Sequence, residues 1–178
     1  MQKQEEKYWN MEFTEVITRR ESIRKFDGRK PTEEQLAEIL EAGRWAPTAF
    51  NKQPQRVLIL ESEEALAKMD QVHPCRYGAK LVLLVCGDAT AAAGHGSNST
   101  AATDATIAAT QMLLAACNAG VDSVWAGVHE PEKTRDVFGL PETMIPICFI
   151  DLGFRPEGFK GNRDHGKRNP VEAMVTRL

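Results

Sequence analysis

The apolar residues of this chain recur at two different spacings. Phe13, Val16 and Ile17 have the spacing of a helix, and Thr32 with Gln35 has the pattern of a capping box that begins another. Continuous apolar runs bounded by polar residues instead predict buried strands. The other predicted helices span residues 63–69, 104–119 and 131–139, and the predicted strands span 56–61, 80–87, 123–128 and 145–154. Helices and strands mix without a strict strand–helix–strand rhythm, which favours an α+β fold over a doubly wound sheet.

The predicted helix at 104–119 is apolar on nearly all sides. Asp104 is placed to cap its first turn, after a loop of small polar residues at 95–103 that we expect to be mobile. Such a helix has to be buried on more than one side, and one chain of 178 residues has limited material to surround it. We therefore expect a second subunit to cover part of this helix.

Composition and charge narrow the classes of function. A chain of 178 residues with 42% hydrophobic and 26% charged residues predicts one globular domain over 1–178, with a polar N-terminal extension at 1–10. A formal net charge of −3 argues against a nucleic-acid partner. No apolar run is long enough to span a bilayer, and the polar start lacks the apolar stretch of a secretory signal. We expect a cytoplasmic protein without a membrane partner.

The four cysteines and four histidines show no metal-ligand spacing, so we expect no metal site. Three of the cysteines, Cys86, Cys117 and Cys148, lie in apolar contexts and are interpreted as core residues. Neither a GxGxxG nor a GxxxxGK[ST] motif occurs. A phosphate site in this chain would therefore depend on side chains rather than on a glycine-rich helix start.

The segment RRESIRKF, residues 19–26, concentrates cations in an otherwise acidic chain. If it is extended, Arg20, Ser22 and Arg24 project to the same side, where charge-assisted hydrogen bonds suit a phosphate. The alternative is a set of ordinary surface cations that gain from the dipole of the preceding helix. On this segment alone, that alternative is the simpler interpretation.

Two further segments are open to two interpretations each. The carboxamides of APTAFNKQPQR, residues 46–56, suit the mixed donors and acceptors of a heterocycle, but they are also common in helix-to-strand loops. In SVWAGV, residues 123–128, the glycine marks either a bend in a buried strand or the close approach of a flat ligand.

Four motifs occur in order along the chain: R-x-S-x-R-x-F, A-P-T-x-x-x-N-x-Q-P, G-V-x-S-V-W-A-G, and G-F-R-P-E-G followed by K-R-N-P-V-E-A-M-V. This ordered set resembles the nitroreductase-like FMN-dependent oxidoreductases. The resemblance runs from about Phe13 to Val175. It implies an α+β fold with a central mixed, mostly antiparallel sheet flanked by helices. It also implies a domain-exchanged homodimer with two FMN sites at the subunit interface.

The resemblance further implies which residues hold FMN. Ligands of its phosphate and ribityl chain, or of the flavin pyrimidine edge, are Arg20, Ser22 and Arg24. The segment that meets the flavin from the other subunit contains Pro47, Thr48, Asn51 and Gln53. The strand behind the ring contributes Trp125, Ala126 and Gly127, and the C-terminal cations that close around the phosphate are Lys167 and Arg168.

This chain departs from the pattern of the family at three positions. Glu21 stands where many members have Arg, Thr48 where many have Ser, and Gln55 where an aromatic residue is common. Thr48 keeps the hydroxyl group, and in an extended segment Glu21 points away from Arg20. Gln55 removes an aromatic wall and leaves the substrate preference open.

The implied activity is FMN-dependent NAD(P)H oxidoreduction of nitroaromatics, quinones or related flat acceptors by ping-pong hydride transfer through flavin N5. No catalytic side chain is assigned, because the cofactor carries the reaction. One alternative is other flavin chemistry on the same fold, such as reductive dehalogenation or flavin breakdown. Others are a non-enzymatic flavin-binding or redox-sensing protein and a flavin-free structural dimer.

Overall fold

A computed structural model describes residues 11–73 and 75–178. The helices are α1 Phe13–Arg19, α2 Glu33–Arg44, α3 Glu63–Val72, α4 Ala101–Asn118 and α5 Pro131–Phe138. The strands are β1 Gln55–Leu60, β2 Leu81–Asp88, β3 Asp122–Ala126 and β4 Met144–Gly153. Short 3-10 turns occur at Ala49–Asn51, Gly96–Asn98 and Val171–Ala173. The predicted extension at 1–10 lies outside the described residues. No helix within them is both long and apolar enough to cross a membrane.

The four strands form one sheet in the order β1-β2-β4-β3, and every strand pair is antiparallel. A single parallel bridge joins Ser22, outside the named strands, to Ser123 in β3. The predicted α+β class with a mixed, mostly antiparallel sheet is confirmed.

Both faces of the sheet are covered, which explains why β2 is a continuous apolar run rather than an alternating one. On one face, Leu81, Leu83 and Val85 pack with residues of α2 and α4. On the other face, Val82 and Leu84 pack with residues of α3 and with the segment after α1. Successive side chains of a strand point to opposite faces, so each apolar residue of β2 contributes to one of two cores.

Helix α2 begins as its sequence predicts. The side chain of Thr32 accepts a hydrogen bond from the backbone N–H of Gln35, and the Gln35 side chain accepts one from Thr32 N. The pairing satisfies two backbone donors that the first turn of a helix otherwise leaves unpaired. Gly43 near its end packs against α4, where a Cβ would lie 2.9 Å from Met112.

The predicted start of α4 was wrong by three residues. Thr100 is the N-cap residue and the helix begins at Ala101, so Asp104 lies in the first turn instead of capping it. The Asp104 carboxylate accepts hydrogen bonds from the Thr100 hydroxyl at 2.8 Å and from Ala49 N at 3.2 Å. The Asp104 carboxylate, which the sequence pattern predicted as the N-cap acceptor of α4, is therefore used instead by a backbone N–H of the distant loop.

Helix α4 has one exposed side within the described chain. Its buried side consists of alanines with Met112 and Leu113, but Thr103, Thr106 and Thr110 form an exposed stripe. The Thr106 and Thr110 hydroxyls donate to the carbonyls four residues earlier. The stripe is therefore narrow, with two of its three hydroxyls satisfied inside the helix.

Candidate functional site

The segment after α1 leaves the helix in an extended conformation, as predicted. Arg20 has backbone angles of φ −55 and ψ 117. Two residues later Ser22 bridges to Ser123, and Ile23 N donates to Ser123 O at 3.0 Å. Ile23 is fully buried beneath the sheet. The segment is thus fixed by its backbone and by its inward side chain.

The cations of this segment differ in their partners. Arg19 forms an i,i+4 ion pair with Glu15 at 2.9 Å. Within residues 11–73 and 75–178, neither Arg20 nor Arg24 has an ion pair. Arg20 lines a cavity of about 560 Å³ that also includes Ser123. Two guanidinium groups on a fixed backbone are therefore left without an anionic partner in the described chain.

Glu21, between these residues, does have a partner that the sequence did not predict. Its carboxylate accepts a hydrogen bond from Arg155 Nη1 at 2.5 Å. Arg155 also donates to Asp122 Oδ1 at 2.6 Å, and its backbone N donates to Asp122 Oδ2 at 2.7 Å. The hydrogen bonds to Asp122, followed by those to Glu21, raise the pKa of Arg155 above its ordinary value. Arg155 thus joins the arginine segment to the beginning of β3.

The C-terminal segment returns to the same end of the molecule. His165 Nε2 lies 2.7 Å from the carbonyl of Thr18, at the end of α1. Gly161 packs against Glu21 so closely that a Cβ would overlap the carboxylate. Lys167 and Arg168 follow on this segment and are exposed. Lys167 already pairs with Asp164 at 2.5 Å, and Arg168 donates to the carbonyls of His165 and Lys167.

The loop between α2 and β1 has an unusual backbone. Three non-glycine residues, Phe50, Asn51 and Gln53, have positive φ angles of 52, 55 and 51. Such conformations are uncommon for residues with a Cβ, and strained backbone concentrates at functional sites. The Thr48 hydroxyl accepts from Gln53 N at 3.0 Å, while Asp104 accepts from Ala49 N. Pro47, Asn51 and Gln53 are exposed.

Within one chain, this loop and the arginine segment lie at opposite ends of the sheet. Ser123 is level with Leu81 through β4, whereas Gln55, which follows the loop, pairs with Gly87. Leu81 and Gly87 are six residues apart on β2, a separation of about 20 Å along a strand. The structure therefore does not bring the two predicted ligand groups together in a single chain.

Strand β3 is the sheet strand next to the arginine segment. Trp125 packs on the α4 face and buried Ala126 on the opposite face, as adjacent strand residues must. Gly127 is exposed, and a Cβ there would lie 2.5 Å from the indole Nε1 of Trp125. Glycine at this position lets the indole lie against the backbone at the end of the strand.

The structure contains a further buried acid that the sequence did not single out. Asp151 in β4 is fully buried, and neither carboxylate oxygen has a hydrogen-bond partner among the described residues. Burial raises the pKa of Asp151 to about 8. The sequence FIDLGF does not indicate whether its aspartate, Asp151, is paired with a cation or a hydrogen-bond donor.

Two of the four thiols are deeply buried, and Cys117 lines the cavity beside Arg20. Cys86 and Cys148 are buried, as predicted, whereas Cys117 is half-buried and Cys75 is exposed. Burial raises the pKa of Cys86 to about 12 and raises that of Cys148 as well. Among the described residues, no group of three or more His, Cys, Asp or Glu side chains is arranged to hold a metal ion.

Comparisons with known proteins agree with this fold and these motifs. A family profile described as "Nitroreductase family" matches residues 17–73 and 74–154. A protein of Methanothermobacter thermautotrophicus, provisionally named NADH dehydrogenase/NAD(P)H nitroreductase, is 34% identical over 163 residues. The match covers 86% of this chain and 82% of that protein.

Solved structures show the same relationship. A nitroreductase family protein from Clostridium difficile 630 superposes with a TM-score of 0.85 at 31% identity, covering 93% of this chain and 98% of that one. A provisionally named nitroreductase from Exiguobacterium sibiricum 255-15, solved in complex with FMN, has a TM-score of 0.81 at 20% identity. The superposition covers 94% of this chain and 98% of the Exiguobacterium protein. Because the identity is only 20%, this neighbour supports the fold and not the function. The chain belongs to the nitroreductase family.

Proposed function

We propose that this protein is an FMN-dependent NAD(P)H oxidoreductase that works as a homodimer and reduces nitroaromatics, quinones or related flat acceptors. The observation that carries the proposal is the state of Arg20 and Arg24. Both lie on a segment whose backbone is fixed to β3, and neither has an ion pair within the described chain. Unpaired guanidinium groups held in place by the fold are suited to bind an anionic ligand.

The donors of this end of the molecule fit a phosphorylated flavin. The arginines and the Ser22 hydroxyl supply charged and neutral donors on one side of an extended segment. Arg168 adds a cation on the C-terminal segment, which is held near Thr18 through His165. Lys167 would contribute after exchanging its bond to Asp164. The related protein from Exiguobacterium sibiricum, with the same fold, was solved with FMN.

The positions of the two ligand groups favour a site made by two chains. Thr48, Asn51 and Gln53 lie about 20 Å along the sheet from Ser123, so one subunit does not place them beside Arg20. In a homodimer the loop of one subunit supplies these groups to the arginine segment of the other. The strained loop then fixes the positions of its amide groups before the ligand binds. This preorganisation reduces the conformational entropy lost on binding.

Two surfaces fit a subunit interface. The threonine stripe of α4 presents small side chains, two of whose hydroxyls are already satisfied, so it can be buried at little polar cost. Beside it, a groove of about 1080 Å³ between α1, α2 and α4 is lined largely by apolar side chains. At its edges Phe13 and Trp45 are 70% and 71% exposed. Large exposed apolar surfaces of this kind mark interaction sites.

When bound, FMN would supply the redox chemistry, accepting hydride from NAD(P)H at N5 and passing the electrons to the acceptor. The chain's own residues bind and orient. Arg20 and Arg24 provide positive charge, the amides of Asn51 and Gln53 match the flavin edge, and Trp125 with Gly127 forms the wall behind the ring. A cytoplasmic location and a single domain over 1–178 stay predictions.

Mixed dimers test the two-chain site. Arg20→Ala with Arg24→Ala removes one half-site, and Asn51→Ala with Gln53→Ala removes the other. Each variant alone should retain little FMN, whereas co-refolded chains should recover about a quarter of the sites, because half of the dimers carry one intact site. Recovery absent from mixed dimers of confirmed composition would contradict a site shared between subunits.

A further inference from the structure

Glu21 occupies an unfavourable position if its neighbours bind a phosphate. It lies between Arg20 and Ser22 in sequence, and Arg20 and Glu21 line the same cavity. Its side chain is only 15% exposed, so water does little to screen the charge. A free carboxylate at this place would repel a dianion and would offer Arg20 a competing partner.

The structure supplies a cation for that carboxylate. Arg155 donates to Glu21 at 2.5 Å and to both oxygens of Asp122 at 2.6 and 3.0 Å. The three guanidinium nitrogens of Arg155 therefore each donate to one of two acids, Nη1 to Glu21 and Nε and Nη2 to Asp122. Asp122 holds it in place from β3, the strand that also carries the Ser123 carbonyl bonded to Ile23.

Gly161 also packs against the Glu21 carboxylate. The Gly161 backbone lies so close to the carboxylate that any side chain there would overlap it. Arg155 and Gly161 are on the same C-terminal segment, which reaches Thr18 through His165. The acid is thus enclosed by the segment that brings Lys167 and Arg168 to this end of the molecule.

We propose that Arg155 is a positioning residue for the cofactor site, which binds the Glu21 carboxylate and offsets part of its negative charge so that Arg20 stays free for the ligand phosphate. This inference rests on the proposed function, because it needs a phosphorylated ligand at Arg20. Without Arg155, two acids would remain in the cavity with Arg20, and Glu21 would pair with Arg20 instead. Loss of Arg155 should therefore weaken binding of the phosphate group and leave binding of the flavin ring unchanged.

Comparison of FMN with riboflavin isolates the phosphate. Binding is measured by fluorescence titration of flavin-free protein with each flavin, for the wild type, Arg155→Met, and Arg155→Met combined with Glu21→Gln. We expect Arg155→Met to weaken FMN about tenfold or more while riboflavin changes about twofold or less. Adding Glu21→Gln should restore part of the FMN affinity, because it removes the acid that competes for Arg20 and leaves only Asp122 without its cation. Lys68→Met, at an exposed pair on α3, should leave both affinities unchanged.

The alternative is a purely structural role for Arg155. It predicts equal weakening of both flavins and no rescue by Glu21→Gln, and either result would overturn the inference. If Arg155→Met does not fold, Arg155→Lys keeps the charge without the planar fork that spans both acids and should show a smaller loss of the same selectivity. A wild type that binds FMN no more tightly than riboflavin would contradict the phosphate site of the proposed function, and this inference with it.

Discussion

The backbone N–H of Ile23 donates to the carbonyl of Ser123 at 3.0 Å, and this bond joins the arginine segment to strand β3. Because Ile23 is also fully buried, the Cα positions of the residues on either side of it are fixed. Arg20 and Arg24 thus project from a rigid element rather than from a flexible loop. Preorganised donors of this kind bind an anion with less loss of conformational entropy.

The first prediction concerns these two arginines. Replacing either Arg20 or Arg24 with Ala should weaken FMN binding about 10- to 100-fold, since a charge-assisted hydrogen bond contributes about 1.5–3 kcal/mol. Titration of the flavin-free proteins with FMN measures the effect, and circular dichroism checks that the variants are folded. Lys68→Ala on the exposed face of α3 is the control. Unchanged FMN affinity in a folded double variant would remove the assignment of both residues.

The second prediction concerns the strained loop. Asp104→Ala removes the acceptor of Ala49 N and should lower the free energy of unfolding by about 1–3 kcal/mol. FMN binding should weaken as well, because Thr48 and Gln53 lose their support. Asp104→Asn keeps an acceptor oxygen and should behave more like the wild type. Denaturation and FMN titration of both variants decide this, and equal behaviour of the two would refute the bond's role.

The third prediction concerns the pH dependence of stability. The pKa of Asp151 is about 8 in the folded protein, against an ordinary value of 3.8. Between about pH 4 and pH 8 the folded state keeps a proton that the unfolded state releases. The free energy of unfolding therefore falls as pH rises, by up to about 1.4 kcal/mol per pH unit.

Asp151→Asn should remove that slope, because the amide does not titrate. Its stability relative to the wild type should increase steadily from pH 5 to pH 8, as measured by urea denaturation at each pH. Asp136→Asn, at an exposed position on α5, serves as the control. Parallel curves for Asp151→Asn and the wild type would show that Asp151 does not titrate in this range.

The fourth prediction tests the packing of α4 on the sheet. A Cβ at Gly87 would lie 2.3 Å from the carbonyl oxygen of Ala101, a backbone atom that cannot move without shifting the helix. Gly87→Ala should cost about 1–3 kcal/mol of stability. Gly166→Ala, where a Cβ meets nothing within 4 Å, should change stability little. Equal thermal midpoints for the two variants would show that the helix start adjusts freely.

Local sequence signals predicted local structure well. The Thr32 and Gln35 capping box and the buried run of β2 need only neighbouring residues, and both are confirmed. The start of α4 was predicted wrongly because Asp104, a good capping residue, is used by a backbone N–H 55 residues away. From sequence alone, an Asp that caps a helix cannot be told from an Asp that accepts a hydrogen bond from a distant part of the chain.

The polar network of the site was beyond what the sequence could predict. Glu21 and Arg155 are 134 residues apart, and GFRPEG gives no indication of which acids its arginine contacts. The extended conformation after α1 was predicted correctly, but Glu21 lines the same cavity as Arg20, and its pairing with Arg155 was not predicted. The proposal that two chains share the site likewise rests on the resemblance to the family and on the sheet register, rather than on spacing along the chain.

We propose above all that this protein binds FMN and reduces it with NAD(P)H. The visible absorbance spectrum of the FMN-loaded protein tests this under anaerobic conditions, before and after addition of NADH and, separately, NADPH. We expect the oxidised flavin band to bleach with at least one donor and to return when a quinone or nitroaromatic is added. A protein that takes up no FMN, or whose flavin stays oxidised with both donors, would contradict it.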